Sequence, residues 1–136
     1  MSFRTAIAED LNRRYQAGVS ADMIYVTCGA AAGLSACTHG LLLPGEEAVA
    51  FAPFFPEYPV FTEGAGGKLV SVPPTAQLQP DLDALAGLIS EKTKLVIINS
   101  PNNPSGVILS AENLKKIGDI LRQAEEKYGH TIYLVS

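Results

Sequence analysis

The sequence predicts an α/β fold, a three-layer α/β/α arrangement with a mainly parallel sheet between helices. Short unbroken apolar runs recur along the chain, and segments with helical spacing of apolar residues alternate with them. Unbroken apolar runs are typical of parallel strands that are buried on both faces, because half-exposed strands usually show an alternating pattern. The apolar fraction of 47% and the charged fraction of 18% are ordinary for a globular chain of 136 residues.

The first part of the chain is predicted to hold a helix, a strand and a second helix. Apolar residues recur every four positions within residues 3–17, and Gly18 is suited to end that helix. The β-branched and aromatic residues at 23–26 predict a strand. Small residues and leucines at 29–43 predict a buried helix, which the following Pro-Gly pair stops.

The rest of the chain continues the alternation of strands and helices. The predicted strands are residues 48–52, 69–72, 95–98 and 132–135. The predicted helices are residues 56–65, 82–89 and 111–128. Asp81 and Ser110 precede two of these helices and are suited to cap them, because their side-chain oxygens accept from free N–H groups. Strands that are separated by helices pair most readily in parallel.

The charge pattern argues against nucleic acid as a partner. The net charge is -4, and no run of Lys and Arg is longer than a pair. Neutralising a phosphate backbone requires a basic face, which this pattern does not supply. A single small phosphate stays compatible with the sequence, because backbone N–H groups can hold it without positive side chains.

Cysteine usage and hydropathy indicate a soluble, cytoplasmic protein. Cys28 and Cys37 are too far apart for a CxxC motif, and no His/Cys group has the spacing of a zinc site. We therefore expect two reduced, buried thiols and no metal. The N-terminus carries acidic residues among its apolar ones, unlike a signal peptide, and the apolar stretches are too short to span a membrane.

A turn of small residues connects the strand at 23–26 to the helix that follows. Its sequence, from Val26 to Gly33, is VTCGAAAG. Small side chains let an anion approach the free N–H groups at the start of a helix, where the helix dipole also favours negative charge. Tight packing of the helix against the sheet would select the same small residues. The spacing is neither that of a Walker loop nor that of a GxGxxG fingerprint.

An aromatic loop follows the strand at 48–52. Its sequence from Ala52 to Tyr58 is APFFPEY, with three aromatic rings and two prolines. Rings that prolines hold in place could present a face to a planar ligand. The alternative is a hydrophobic plug between the loop and the core.

A proline-rich loop follows the strand at 95–98. Its sequence from Asn99 to Gly106 is NSPNNPSG. Two X-Pro steps and a glycine predict a rigid loop, and an asparagine amide held by such a loop can both donate to and accept from a ligand. The alternative is a purely structural turn.

Together these three segments resemble the class I/II aminotransferase family, the fold type I pyridoxal-phosphate enzymes. PNNPSG is similar to the family's Asn-Pro-[Thr/Ser]-Gly signature, TCGAAAGL resembles its phosphate loop, and APFFPEY is most like the loop of aspartate-aminotransferase-like members. The resemblance implies that Gly29 and the N–H groups of Ala30 and Ala31 hold the phosphate of pyridoxal phosphate. It implies that Phe55 stacks on the pyridine ring and that Asn103 binds its phenolic oxygen.

The resemblance also implies that residues 1–136 are an incomplete large domain. The family's Schiff-base lysine lies further along the sequence than PNNPSG, and no lysine here has that context, so we expect no catalytic residue in this chain. The family's partner of the pyridine nitrogen and its substrate-binding arginine have no counterpart either. The parent protein is expected to be a homodimer that acts on amino acids and 2-oxo acids. For the chain alone we expect weak or absent cofactor binding, and self-association.

The sequence leaves three other functions open. Another fold type I enzyme, such as a carbon–sulfur lyase or a decarboxylase, would differ outside these residues. The aminotransferase-like sensor domain of a regulator would bind the cofactor without turnover. A nucleotide-binding α/β domain is disfavoured because the glycine fingerprint is missing.

Overall fold

The computed structural model describes residues 2–136. The described chain forms two compact units, the first ending at Gly33 and the second running from Leu34 to Ser136. The helices are α1 (Phe3–Tyr15), a short 3₁₀ helix (Ala21–Met23), α2 (Ala30–Leu41), α3 (Tyr58–Gly64), α4 (Leu82–Leu88) and α5 (Ala111–Tyr128). The strands are β1 (Glu47–Phe51), β2 (Lys68–Val72), β3 (Thr93–Ile97) and β4 (Tyr133–Val135).

Helix α1 of the first unit ends earlier than its sequence predicts. The Ser2 side chain caps its start by accepting from the N–H of Thr5 at 3.2 Å. Its end is formed by Gln16, which takes a left-handed conformation (φ 52°) two residues before Gly18. The side chain of Asn12 then bonds to both the N–H and the carbonyl of Val19, at 2.9 and 2.8 Å. These two bonds fix the chain after the helix without requiring a glycine cap.

The strand predicted at residues 23–26 is wrong. Met23 ends the 3₁₀ helix, and Ile24 is extended (φ -100°, ψ 117°). No β-pairing involves residues 23–26 in the described part of the chain. Tyr25 and Val26 are exposed. β-branched and aromatic residues favour a strand because they pack well on the surface of a sheet. Residues 23–26 have no neighbouring strand to pair with, so their extended backbone does not form a β-strand.

The four strands of the second unit form one sheet in the order β2-β1-β3-β4, and every pair is parallel. β1 and β3 occupy the centre, with Ala48 opposite Leu95 and Ala50 opposite Ile97. The predicted α/β fold with a parallel sheet is therefore confirmed. Each predicted strand from residue 48 onward lies within about one or two residues of an observed one, the usual uncertainty of element boundaries.

Apolar side chains cover both faces of this sheet. On one face Val49 and Val96 pack with Leu85 of α4 and Ile117 of α5. On the other face Tyr58 packs with Leu41 at the end of α2, with Leu42 directly after it, and with the central strand residues Ala48, Ala50, Leu95 and Ile97. Successive side chains of a strand point to opposite faces, so an unbroken apolar run is needed when both faces are covered.

Helices α4 and α5 begin where the sequence predicts, and α3 begins two residues later than its prediction of 56–65. Asp81 Oδ1 accepts from the N–H of Ala84 at 2.9 Å, and Ser110 Oγ accepts from the N–H of Asn113 at 3.0 Å. Helix α5 ends at Gly129, whose left-handed backbone (φ 72°) lets its N–H reach the carbonyl of Glu125. Each cap satisfies a helix-end group that has no partner within the helix.

Two expectations about burial are wrong. The helix predicted at residues 29–43 exists as α2, but of Ala30–Leu41 only Thr38 is buried. Both cysteines are free thiols, yet Cys28 is exposed and Cys37 is half-buried. Small residues make a helix surface apolar without requiring that a neighbour cover it, so composition overestimates burial here.

Candidate functional site

The two loops that leave the central strands lie at the same edge of the sheet. β1 ends at Phe51 and β3 ends at Ile97, and these strands are parallel neighbours. Their carboxyl ends therefore open onto one edge, where open α/β sheets commonly bind ligands. The aromatic loop (residues 52–57) follows β1, and the proline-rich loop (residues 99–106) follows β3.

Tyr58, the first residue of α3, anchors the aromatic loop. It is 6% exposed and packs with Ala50 and Leu95 beneath the loop. Phe54 stacks on its ring with centroids 5.9 Å apart, and Phe55 meets it edge-on at 6.0 Å. Both arrangements are favourable geometries for aromatic pairs. The rings therefore hold the loop to the core, as expected for a hydrophobic plug. Phe55, however, is only half-buried, so part of its ring remains exposed.

The proline-rich loop is held by hydrogen bonds within itself. The Asn99 side chain accepts from the N–H of Asn103 at 2.8 Å, and Ser100 Oγ accepts from the N–H of Leu109 at 2.9 Å. The N–H of Gly106 donates to the carbonyl of Asn102 at 2.7 Å, and the left-handed backbone of this glycine (φ 72°) reverses the chain. These bonds fix the backbone path of the loop.

The Asn103 side chain projects from this fixed backbone. The residue is exposed, and across residues 2–136 no hydrogen bond uses its side-chain amide. A primary amide carries two donor hydrogens and one acceptor oxygen. Asn103 therefore presents a full set of hydrogen-bonding groups to a ligand from a rigid position.

Asn102 connects the proline-rich loop to the aromatic loop. Its Nδ2 donates to the carbonyl oxygen of Pro53 at 2.8 Å and to Ser105 Oγ at 2.7 Å. The first bond links two loops that are 49 residues apart in the sequence. Phe55 and Asn103 accordingly belong to two loops that are hydrogen-bonded to each other.

A cavity of about 30 Å³ lies beneath these loops. Its walls come from the ends of β1 and β3 and from the loops above them, including Phe54, Tyr58 and Asn102. This volume holds one or two water molecules but no aromatic ring. A planar ligand would therefore lie on the outer side of the loops, where Phe55 and Asn103 retain exposed surface.

The start of α2 brings together Gly29, Ala30 and Ala31 within the first unit. The backbone of Gly29 has a positive φ of 96°, and the first bond of the helix runs from the N–H of Gly33 to its carbonyl at 3.3 Å. Thr27 Oγ1 donates to the same carbonyl at 2.9 Å. Gly29, Ala30 and Ala31 are exposed. The first N–H groups of a helix have no intrahelical partner, so this end can accept an anion.

Phe55 and Asn103, which the family resemblance assigns to the cofactor, keep exposed surface, whereas other residues of the same loops hold the loops in place. Sequence reasoning assigned no role to Asn99 or Asn102, although both lie within the quoted NSPNNPSG segment. The signal was present, because polar residues next to X-Pro steps often bond to nearby backbone. Which asparagine points inward and which points outward depends on the path of the loop, and only the structure gives that path.

No helix within residues 2–136 combines the length and the apolar character that a membrane span needs. In the same residues, no group of three or more His, Cys, Asp or Glu side chains is arranged to hold a metal ion.

Comparisons with known proteins identify a common family. The sequence matches the family described as aminotransferase class I and II over residues 1–127. The crystal structure of an amino transferase from Eubacterium rectale superposes with a TM-score of 0.94 at 45% identity, covering 96% of this chain and 33% of that one. The structure of N-succinyldiaminopimelate aminotransferase from Mycobacterium tuberculosis gives 0.86 at 32% identity, covering 96% and 34%.

A curated relative gives the same result. The probable aspartate/prephenate aminotransferase of Thermus aquaticus is 33% identical over 138 residues, which is 96% of this chain and 36% of that protein. The chain thus spans about a third of the length of the proteins that it matches.

Burial raises the pKa of the Tyr58 phenol above its ordinary value of 10.0. When the pKa of a phenol is higher in the folded chain than in the unfolded chain, its contribution to stability is fully present below the unfolded-state pKa. That contribution is lost as the pH rises from the unfolded-state pKa through the folded-state pKa, because ionising the buried phenol is unfavourable. We predict that the free energy of unfolding falls more steeply in the native chain than in Tyr58→Phe as the pH rises above about 10. Urea denaturation at a series of pH values measures both slopes.

The matched control for this experiment is Tyr25→Phe, because Tyr25 is 83% exposed. Its pH dependence should follow that of the native chain. Equal slopes for Tyr58→Phe and Tyr25→Phe would show that Tyr58 does not anchor the aromatic loop as a buried neutral phenol.

Proposed function

Because the chain belongs to the aminotransferase class I and II family, we propose that it supplies part of the cofactor site of a pyridoxal-phosphate-dependent aminotransferase. The longer parent protein would transfer an amino group between an amino acid and a 2-oxo acid. The observation that carries this proposal is the pair of linked loops at the ends of β1 and β3, which present the Phe55 ring and the Asn103 amide.

The residues present fit pyridoxal phosphate group by group. The cofactor has a planar pyridine ring, a phenolic oxygen and a phosphate. The half-buried Phe55 ring offers a stacking surface, and the Asn103 amide offers a donor for the phenolic oxygen. The exposed start of α2 offers N–H groups for the phosphate. The family resemblance, rather than a measured distance, assigns these two parts to one cofactor.

Each residue has a binding or orienting role in this proposal. When bound, pyridoxal phosphate supplies the electron sink through which amino groups are transferred. Gly29, Ala30 and Ala31 would hold the phosphate through backbone N–H groups alone, because alanine side chains add no donor. Phe55 would cover one face of the ring and limit its contact with water, and Asn103 would fix the in-plane rotation of the ring.

Residues 1–136 are proposed to be the N-terminal part of the large, cofactor-binding domain. The coverage of about a third of each relative supports this assignment. The Schiff-base lysine and the groups that choose the substrate would then lie outside these residues, and the chain alone would be inactive. The relatives' names include both aspartate/prephenate and N-succinyldiaminopimelate aminotransferases, so aspartate is one substrate to test first.

The proposal predicts how two substitutions change cofactor binding. In the longer parent protein, Asn103→Ala should weaken pyridoxal phosphate binding about fivefold, because one hydrogen bond contributes about 1 kcal/mol. Phe55→Ala should weaken it by a similar or larger factor, because stacking contributes about 0.5–1.5 kcal/mol beyond area burial. Titration of the cofactor with recording of the visible absorbance measures each dissociation constant.

Asn113→Ala on α5 is the matched control, because it makes the same chemical change outside both loops. It should bind the cofactor as the native protein does. A native parent protein that does not bind pyridoxal phosphate would contradict the proposed function. Native binding that neither Phe55→Ala nor Asn103→Ala changes would contradict the assignment of these residues.

We also propose that the parent protein is a homodimer and that the 136-residue chain associates with itself. The two edges of the sheet support the second part. The outer strand β2 exposes the polar residues Lys68 and Ser71, which discourage pairing with another strand. The opposite outer strand β4 exposes Tyr133 (46%) and Leu134 (44%), so an apolar edge is open to a second copy.

Leu134→Lys should shift the 136-residue chain toward a monomer, because a lysine on an edge strand opposes pairing. Light scattering over a range of protein concentrations measures the shift. Leu114→Lys is the control, since Leu114 is exposed on α5 and away from the edge. A native chain that is monomeric at every concentration, or equal effects of the two substitutions, would rule out association through β4.

A further inference from the structure

The two N–H donors of the Asn102 side chain serve two different loops. One donates to the carbonyl of Pro53 in the aromatic loop at 2.8 Å. The other donates to Ser105 Oγ in its own loop at 2.7 Å. The side chain is half-buried between them. An amide held in this way has both donors engaged inside the protein and has none left for a ligand.

The backbone of Asn102 is held as firmly as its side chain. Its N–H donates to the carbonyl of Val107 at 2.8 Å, and its carbonyl accepts from the N–H of Gly106 at 2.7 Å. Four hydrogen bonds therefore converge on one residue. Since the next residue is Asn103, whose amide is free and exposed, the position of that amide follows from the position of Asn102.

The bond to Pro53 also constrains the residue that would stack on the cofactor. Phe55 is two residues beyond Pro53. Its ring meets the edge of the Tyr58 ring, and its carbonyl accepts from the N–H of Tyr58 at 3.1 Å, a bond that ties it to α3 and not to the proline-rich loop. Two rings in edge contact can shift relative to each other at little cost, because aromatic pairs are favourable over a range of offsets. A hydrogen bond weakens more steeply when its atoms are displaced. The Asn102 bond is thus the directional contact that relates the aromatic loop to the proline-rich loop.

We propose that Asn102 is a positioning residue that sets the Phe55 ring relative to the Asn103 amide. This inference rests on the proposed function, because those two groups bind the cofactor ring only if the protein uses pyridoxal phosphate. Asn102 itself does not contact the cofactor. It acts through the two loops that it joins.

Asn102→Asp in the longer parent protein is the most specific test. Aspartate has nearly the same shape, but its carboxylate has no hydrogen to donate. A carboxylate oxygen would then face the carbonyl oxygen of Pro53, and both of these atoms are acceptors. Affinity for pyridoxal phosphate should fall by roughly 10- to 100-fold, by analogy with the loss of a hydrogen-bond partner behind a metal ligand. The circular dichroism of the bound cofactor should also change, because that signal depends on the ring's orientation in the site.

Ser105→Ala is the matched control. It removes the bond within the proline-rich loop but leaves the bond from Asn102 to Pro53. Its bound cofactor should keep the native circular dichroism spectrum. If Asn102→Asp does not fold, Asn102→Gln replaces it. The longer amide keeps its donors but displaces the loop, so its affinity for pyridoxal phosphate should be lower than that of the native protein.

The outcomes separate this inference from the proposed function. A native parent protein that binds no pyridoxal phosphate overturns both. Native binding, with equal affinity and an equal spectrum in the Asn102 variant, overturns the positioning role alone. A variant that is less stable, but whose folded form binds the cofactor with native affinity and spectrum, also overturns it, because the role of Asn102 would then be structural only.

Discussion

The pairing of β1 with β3 at the centre of the sheet is the constraint that the rest of the second unit depends on. Ala48, Val49, Leu95 and Val96 have no exposed surface, and buried backbone groups must find partners, so the ladder between these strands is obligatory. Because the strands are parallel, residues that follow Phe51 and Ile97 emerge side by side. Segments about 50 positions apart in the chain thereby form one surface.

The residues of this surface are of two kinds: some hold the loops in place, and others keep groups free to contact a ligand. Tyr58 and Asn102 are committed to the protein, one through burial and the other through its hydrogen bonds. Their neighbours Phe55 and Asn103 keep exposed groups at positions that the committed residues determine. Binding sites commonly depend on such support, because a ligand gains affinity when contact groups need no ordering.

Much of the fold could be predicted from the sequence, since unbroken apolar runs such as LVII are required wherever a strand is covered on both faces. The run at residues 23–26 has similar composition but no neighbouring strand, and a local pattern cannot reveal the absence of a partner. The site residues were located through motifs, and their contact with the cofactor stays a prediction. The role of Asn102 could not be predicted, because its partner Pro53 lies 49 residues away.

A crystal structure of the longer parent protein, grown with pyridoxal phosphate, is the most direct test of the proposed cofactor site. We predict electron density for the cofactor ring against Phe55, with its phenolic oxygen within hydrogen-bonding distance of Asn103 Nδ2 and its phosphate at the start of α2. Density for the cofactor away from both loops would contradict the assignment. An ordered structure without any bound cofactor at saturating concentration would contradict the proposed function as well.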